Sequence, residues 1–292
     1  MIQGPIVRYG GFDACIHDRH VTPELFAYGA RRFIYGLSKK LILANQFASV
    51  VDKVLSHPME EISGGLGWYI GILYTLQIYF DFYGYSLMAK GLGQLMGFSL
   101  PDNFHYPYLS LSMTEFWRRW HMTLGGWFRD YIYIPLGGSR CGKGATIRNM
   151  LVVWLLTGFW HGASWNFILW GSVIFLLMFI EKMGLKHLLD GCPLIGHLYM
   201  MMVIPLTWLS FAVTDRVQMK IYFLRLFPFL APEKQSLYFA GDFLKYGRIY
   251  ALSLTLSLIF MTQLPRKLYK QWKRSFLTAV ILLVQNCINF CE

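Results

Sequence analysis

The chain has 292 residues, 55% of them hydrophobic, 17% aromatic and only 15% charged. With a mean hydropathy of +0.39, it is far more apolar than a soluble domain of ordinary composition. Its net charge of +11 would suit a nucleic-acid binder only if the basic residues clustered on one solvated face. They lie instead between apolar runs, at Lys39-Lys40, from Arg140 to Arg148, and above all from Arg266 to Arg274. That distribution is the one expected of cytoplasmic loops in a polytopic membrane protein, so the expected partner is a lipid bilayer and not nucleic acid.

The opening residues read as loop, with Gly4-Pro5 and Gly10-Gly11 as breakers and none of the features of a secretory leader. Thr22-Pro23-Glu24 predicts a helix start, with threonine at the cap and proline at the first position. The helix is expected to continue through Phe33 to Val54. Arg31-Arg32 and Lys39-Lys40 make it interfacial or partly inserted. Residues 67 to 87 form the first strong span, despite Asp81. Residues 98 to 139 are too polar, and too rich in proline and glycine, to cross as one helix. Such a stretch is tolerated at membrane depth only when buried in protein or lining a cavity, so it is read as re-entrant and amphipathic.

Residues 147 to 181 are apolar but too long for a single crossing, and Gly158 and Gly162 to Ser164 predict two helices meeting there. Further spans are expected at about 194 to 213, 246 to 264 and 275 to 290, with a shorter apolar piece at 217 to 230 as an amphipathic or half-inserted helix. The five cysteines, Cys15, Cys141, Cys192, Cys287 and Cys291, have neither metal-site nor disulfide-framework spacing. The expected fold class is an all-α polytopic membrane protein, with residues 1–292 as one domain.

Two histidines stand in this apolar setting, His121 in Phe116-Trp-Arg-Arg-Trp-His-Met-Thr-Leu124 and His161 in Gly158-Phe-Trp-His-Gly-Ala-Ser-Trp165. An ionisable side chain inside a membrane is expensive and marks a functional site by default. In a dry pocket an imidazole stays neutral and can accept a proton, as a general base must. Beside His161, Gly162 permits close approach, Trp160 and Trp165 supply an aromatic wall, and Asn166 adds a polar group. His121 reads equally well as a residue that merely orders its segment. Arg118, Arg119, Arg129 and Arg140 suit phosphate or headgroup binding and suit snorkelling to the interface equally well. Asp81 and Asp130 are expected to pair with those arginines.

No nucleophile elbow, phosphate-binding loop, zinc-binding helix or paired carboxylates occur. Gly91-Leu-Gly-Gln-Leu-Met-Gly97 only approximates a dinucleotide fingerprint and lacks its strand–turn–helix setting. Haem ligation by the two histidines fits poorly with their irregular segments. Proton-coupled transport fits them well and remains open at this point.

Several multi-residue blocks occur in a specific order: Gly4-Pro-Ile-Val-Arg-Tyr9, Gly36-Leu-Ser-Lys-Lys40, Tyr79-Phe-Asp-Phe-Tyr-Gly-Tyr-Ser86, and the block around His121. Trp127-Phe-Arg-Asp-Tyr-Ile-Tyr-Ile-Pro-Leu-Gly-Gly-Ser-Arg140, Arg148-Asn149 and Gly158 to Gly171 follow. Together they resemble the membrane-bound O-acyltransferase (MBOAT) superfamily, and within it the alginate O-acetyltransferase branch. The resemblance implies a ring of transmembrane and re-entrant helices around a tunnel, in the inner membrane. It implies transfer of an acyl group, usually acetyl, from a cytoplasmic thioester to a hydroxyl of an extracellular polysaccharide or to an extracytoplasmic acetyltransferase partner.

The family's histidines fall on His161, as the catalytic residue, and on His121, as its companion. Trp117, Arg118, Arg129, Asp130, Trp160 and Asn166 are the expected substrate contacts. The implied donor is acetyl-CoA as substrate, with no bound cofactor and no metal. The family carries several transmembrane helices ahead of the block that opens this chain, so the resemblance implies a domain without its N-terminal helices. Transfer of D-alanine to teichoic acid, proton-coupled transport and an inactive remnant are the alternatives.

Overall fold

The computed structural model describes residues 4–10, 13, 16, 19–230 and 242–272, and among them there are helices, turns and loops but no strand. The all-α class is thus as expected. The expected span at 275 to 290 lies outside the described residues, as do Cys15, Cys287 and Cys291.

Helix α1, Pro23–Ser38, starts as its sequence predicts: the Thr22 side chain accepts a hydrogen bond from the Leu25 N–H at 3.2 Å, and proline follows the cap. It runs without a break through a π-helical turn, Lys39–Ala44, into α2, Asn45–Leu55. The π turn brings Lys39 inward, where its side chain is buried among the rings of Tyr35, Phe80, Tyr83 and Phe260. Lys40 pairs with Asp81. The partner of Asp81 is therefore a lysine and not one of the arginines.

Helix α3, Gly64–Leu95, is 32 residues long, about 48 Å at 1.5 Å per residue. This exceeds the 67 to 87 segment expected, but among the described residues α3 is not one of the helices both long and apolar enough to cross a membrane. It packs antiparallel on α1 through two pairs of glycines seven residues apart. A Cβ on Gly84 would lie 2.7 Å from the Gly36 carbonyl oxygen, and one on Gly91 would lie 2.7 Å from that of Gly29. Small residues let helix backbones meet where lipid supplies no hydrophobic drive.

Residues 98 to 141 contain only short pieces: α4, Met113–Arg119, α5, Met122–Phe128, and a π turn, Arg129–Tyr133. Apart from Gly138, the buried residues of this stretch, Asn103, Phe104, Met113, Phe116, Trp120, His121 and Phe128 among them, lie before residue 129, whereas most of 129–141 is exposed. Helices α6, Gly142–His161, and α7, Trp165–Ile180, form a hairpin that breaks at 162 to 164, as expected. Gly158 lies against the Phe167 carbonyl and Gly171 against that of Trp154, so this pair is also closed by glycine.

A π turn, Glu181–Leu185, leads to α8, Lys186–Gly191, and then to α9, Pro193–Ala212. The continuous stretch Trp165–Gly191 and α9 are each long and apolar enough to cross a membrane. Helix α10, Arg216–Leu226, overlaps the short piece expected at 217 to 230 but ends earlier and lacks the amphipathic pattern expected of it; it buries Tyr222, whose hydroxyl donates to the Gly67 carbonyl at 2.6 Å. The expected span at 246 to 264 differs. Asp242–Ile249 (α11) and Ala251–Phe260 (α12) meet at 69°. Tyr250 between them leaves helical geometry, with φ −103° and ψ 14°.

Candidate functional site

His121 and His161 reach one cavity from different elements. The cavity has a volume of about 760 Å³. One wall is a stripe of α6, on which Met150, Val153, Trp154, Thr157 and His161 recur at helical spacing. The other is built by α4, α5 and the residues joining them, including Trp117, Arg118 and His121.

Helix α4 is seven residues long and could not stand alone, so its N-terminus is held from several directions. Ser112 caps the Glu115 N–H at 3.2 Å, and Glu115 Oε2 accepts from the Leu111 N–H at 2.8 Å. This is the capping-box pattern of serine followed three residues later by glutamate, displaced by one residue on the return bond. Glu181 completes the anchor. Its carboxylate, 1% exposed, accepts from the Met113 N–H at 2.6 Å, from the Thr114 N–H at 2.9 Å and from the Thr114 hydroxyl at 2.6 Å. The Tyr199 hydroxyl on α9 donates to it at 3.2 Å. Glu181 is not among the residues expected at the site, although an acid directly after the apolar run of α7 is a visible signal.

The chain leaves α4 at Trp120 and turns at His121, whose backbone is left-handed, with φ 44° and ψ 49°. A non-glycine residue held there costs about 1–3 kcal/mol and persists only where its surroundings enforce it. Asn103 supplies the enforcement. Its backbone carbonyl accepts from the Met122 N–H at 3.0 Å, and its side-chain oxygen lies 3.1 Å from His121 Nδ1. The His121 ring meets Phe82 edge-on, with centroids 4.7 Å apart, and Trp160, with centroids 6.0 Å apart. Its Nε2 is buried and, among the described residues, without a partner; the same holds for Trp117 Nε1.

His161 ends α6 and is half-buried. Its ring is enclosed by Trp170 and Phe211, with centroids at 5.2 and 5.3 Å, and by Trp160 at 4.9 Å. No hydrogen bond to its ring occurs among the described residues. Of the expected aromatic wall, Trp160 touches both histidines, whereas Trp165 is 71% exposed and turns away. The room beside Gly162 is taken by Phe167, whose Cε2 a Cβ there would meet at 2.7 Å.

The expected substrate contacts divide. Trp117, Arg118 and Arg129 line the cavity with the two histidines. Trp117 also stands on Trp154, Trp170 and Trp208, with centroids between 4.9 and 6.1 Å, so a tryptophan cluster floors the site. Asp130, Trp160 and Asn166 are not on the cavity wall. Asp130 pairs with Arg8 and Arg129. The Asn166 amide donates to the Thr214 carbonyl and ties α7 to the chain end of α9. Arg119 pairs with Glu115 on its own helix.

Two other sequence blocks find their place here. Asn149, fully buried, donates to the carbonyls of Leu136 and Gly138 at 3.0 Å each and so pins the Pro-Leu-Gly-Gly turn to α6. The opening Gly4-Pro-Ile segment lies behind His121, where the Ile6 N–H donates to Thr123 Oγ1 at 3.0 Å.

The family model for membrane-bound O-acyltransferases matches residues 1–190, which carry both histidines and the residues lining the cavity. The chain belongs to the membrane-bound O-acyltransferase family. It is similar to the probable alginate O-acetylase AlgI of Pseudomonas syringae pv. tomato, at 45% identity over 182 residues, 62% of this chain and 35% of that protein. The peptidoglycan O-acetyltransferase of Helicobacter pylori is 39% identical over 174 residues, 59% of this chain and 33% of that protein. The teichoic acid D-alanyltransferase of Streptococcus thermophilus is 32% identical over 189 residues, 58% of this chain and 44% of that protein. The chain thus spans about a third of the length of the O-acetylating relatives it matches. The family membership accounts for a membrane-embedded chain with a buried polar site.

Proposed function

We propose that this chain carries the acyl-transfer site of an O-acetyltransferase that uses acetyl-CoA and modifies a hydroxyl of an extracellular polysaccharide of the alginate type. The observation that carries this reading is the meeting of His121 and His161 on one cavity, although 40 residues separate them in the chain. His161 Nδ1 or Nε2 takes the proton of the acceptor hydroxyl as its oxygen attacks the thioester carbonyl. The tetrahedral intermediate collapses with cleavage of the C–S bond. The departing thiolate takes the proton from His161, which leaves an ester, a free thiol and a neutral imidazole. His121 holds a reacting partner in place, and the tryptophan floor keeps out the water that would hydrolyse the thioester.

Arg118 and Arg129 suit the phosphates of the donor, since guanidinium groups match phosphate oxygens. In this reading the donor enters from the cytoplasmic side of the inner membrane, and the acceptor or a partner acetyltransferase engages the outer side. General-base catalysis contributes about 10²–10⁴-fold. His161→Ala should therefore lower acetyl transfer by that factor, measured with radiolabelled acetyl-CoA in membranes that contain equal amounts of inserted protein. Transfer at the wild-type rate would overturn the assignment.

Similarity to the Streptococcus thermophilus D-alanyltransferase favours a second reading, transfer of D-alanine to teichoic acid. The two O-acetylating relatives match at higher identity, which favours acetyl. Competition between acetyl-CoA and a D-alanyl carrier protein as donors decides between them.

A further inference from the structure

The surroundings of His121 favour a proton on one of its two nitrogens. The Thr123 backbone N–H, which can only donate, points at Asn103 Oδ1 at 3.3 Å. The Asn103 atom on that side is therefore the carbonyl oxygen, and its amide nitrogen faces Ser86 Oγ at 3.2 Å. A second unambiguous donor, the Ile6 N–H, occupies Thr123 Oγ1 at 3.0 Å. The Thr123 hydroxyl therefore sends its own hydrogen to Asn103 Oδ1, at 2.9 Å. Gly4 closes over the amide, where a Cβ would come within 2.8 Å of Asn103 Nδ2.

His121 Nδ1, 3.1 Å from that same oxygen, faces an atom that can only accept. A lone pair on Nδ1 would meet another on the oxygen, so the contact favours a hydrogen on Nδ1, which shares that oxygen with the two Thr123 donors. In the neutral ring the lone pair then sits on Nε2, which is buried and has no partner among the described residues.

We propose that Asn103 is a positioning residue that locks His121, a residue of the cavity wall, in the Nδ1–H tautomer and leaves its buried, unpartnered Nε2 as a hydrogen-bond acceptor. An acceptor nitrogen cannot polarise a thioester carbonyl, which has only lone pairs to offer. It can grip an O–H group. His121 therefore holds the hydroxyl-bearing acceptor, and not the acyl donor. This rests on the acyl-transfer reading for the identity of the substrates, whereas the tautomer lock rests on geometry alone.

The test uses the whole protein in lipid nanodiscs with ¹⁵N-labelled histidine, the His121 signal being identified by its absence from His121→Phe. Wild-type protein should show the Nδ1–H pattern at His121. Asn103→Leu, close in size but without an acceptor, should lose that pattern. It should also raise the KM for the polysaccharide acceptor by about two- to tenfold, the loss expected for one oriented hydrogen bond. Asn103→Asp, which keeps the accepting oxygen, should restore both. An Nδ1–H pattern that survives in Asn103→Leu, or an Nε2–H pattern in the wild type, overturns the lock. A rise in the donor KM with the acceptor KM unchanged overturns the assignment of His121 to the acceptor. Full transfer by His161→Ala, by contrast, would sink the catalytic reading and leave the tautomer result standing.

Discussion

Replacing Glu181 by alanine should destabilise the protein by about 2–6 kcal/mol and loosen the element that carries His121. The figure comes from the bonds the carboxylate makes. It accepts from two backbone N–H groups, those of Met113 and Thr114, and from the hydroxyls of Thr114 and Tyr199. The hydroxyls can rotate toward other acceptors. The two N–H groups cannot, because α4 fixes their direction, and each buried donor left unmade costs about 1–3 kcal/mol. Glutamine in the same place keeps one accepting oxygen but turns an NH₂ group toward the remaining donors, so it should recover only part of the loss. Unfolding in nanodiscs, followed by tryptophan fluorescence, reads the effect directly, because Trp117 and Trp120 lie on and just after the anchored helix. If Glu181→Ala unfolded at the wild-type midpoint, the carboxylate would not be what holds α4, and the order of His121 would need another source.

Three further substitutions probe separate contacts. Gly84→Ala should destabilise by about 1–3 kcal/mol through overpacking, since its Cβ would lie 2.7 Å from the Gly36 carbonyl oxygen and neither backbone can yield cheaply. Gly144→Ala is the matched control: nothing lies within 4 Å of its Cβ, so the helix should gain about 0.5–1 kcal/mol from the lost backbone entropy. Equal midpoints for the two in the same unfolding assay would refute the glycine-packing argument. Asn166→Ala should cost about 0.5–1.5 kcal/mol through the lost bond to Thr214 and leave the KM for both substrates unchanged; a rise in either KM would return Asn166 to the substrate site.

The sequence made some features legible because they depend on local chemistry. The Thr22 cap, the proline after it and the glycine-marked break beside His161 are rules of helix ends, and the helices obey them. The blocks around both histidines carried the family. Features set by tertiary contact were not legible. The partner of Asp81 depends on a π turn that rotates Lys40 toward α3, and the outward face of Trp165 depends on where α7 starts. Glu181 stands in view as the first residue after an apolar helix, but its partner does not, because only the fold brings it 68 residues back to Met113.

The same distinction separates the two histidines. His161 is surrounded by rings and makes no hydrogen bond among the described residues, so its own position leaves both nitrogens free to exchange a proton with a substrate. His121 is strained in its backbone and bonded through one nitrogen. A residue that must gain and lose a proton within one turnover is served by the first environment. A residue that must keep one nitrogen protonated and the other open is served by the second. The sequence offered the two as similar candidates, each beside a tryptophan. What separates them is Asn103, 18 residues before His121 in a loop, whose side-chain oxygen faces Nδ1 and whose backbone carbonyl holds the left-handed turn.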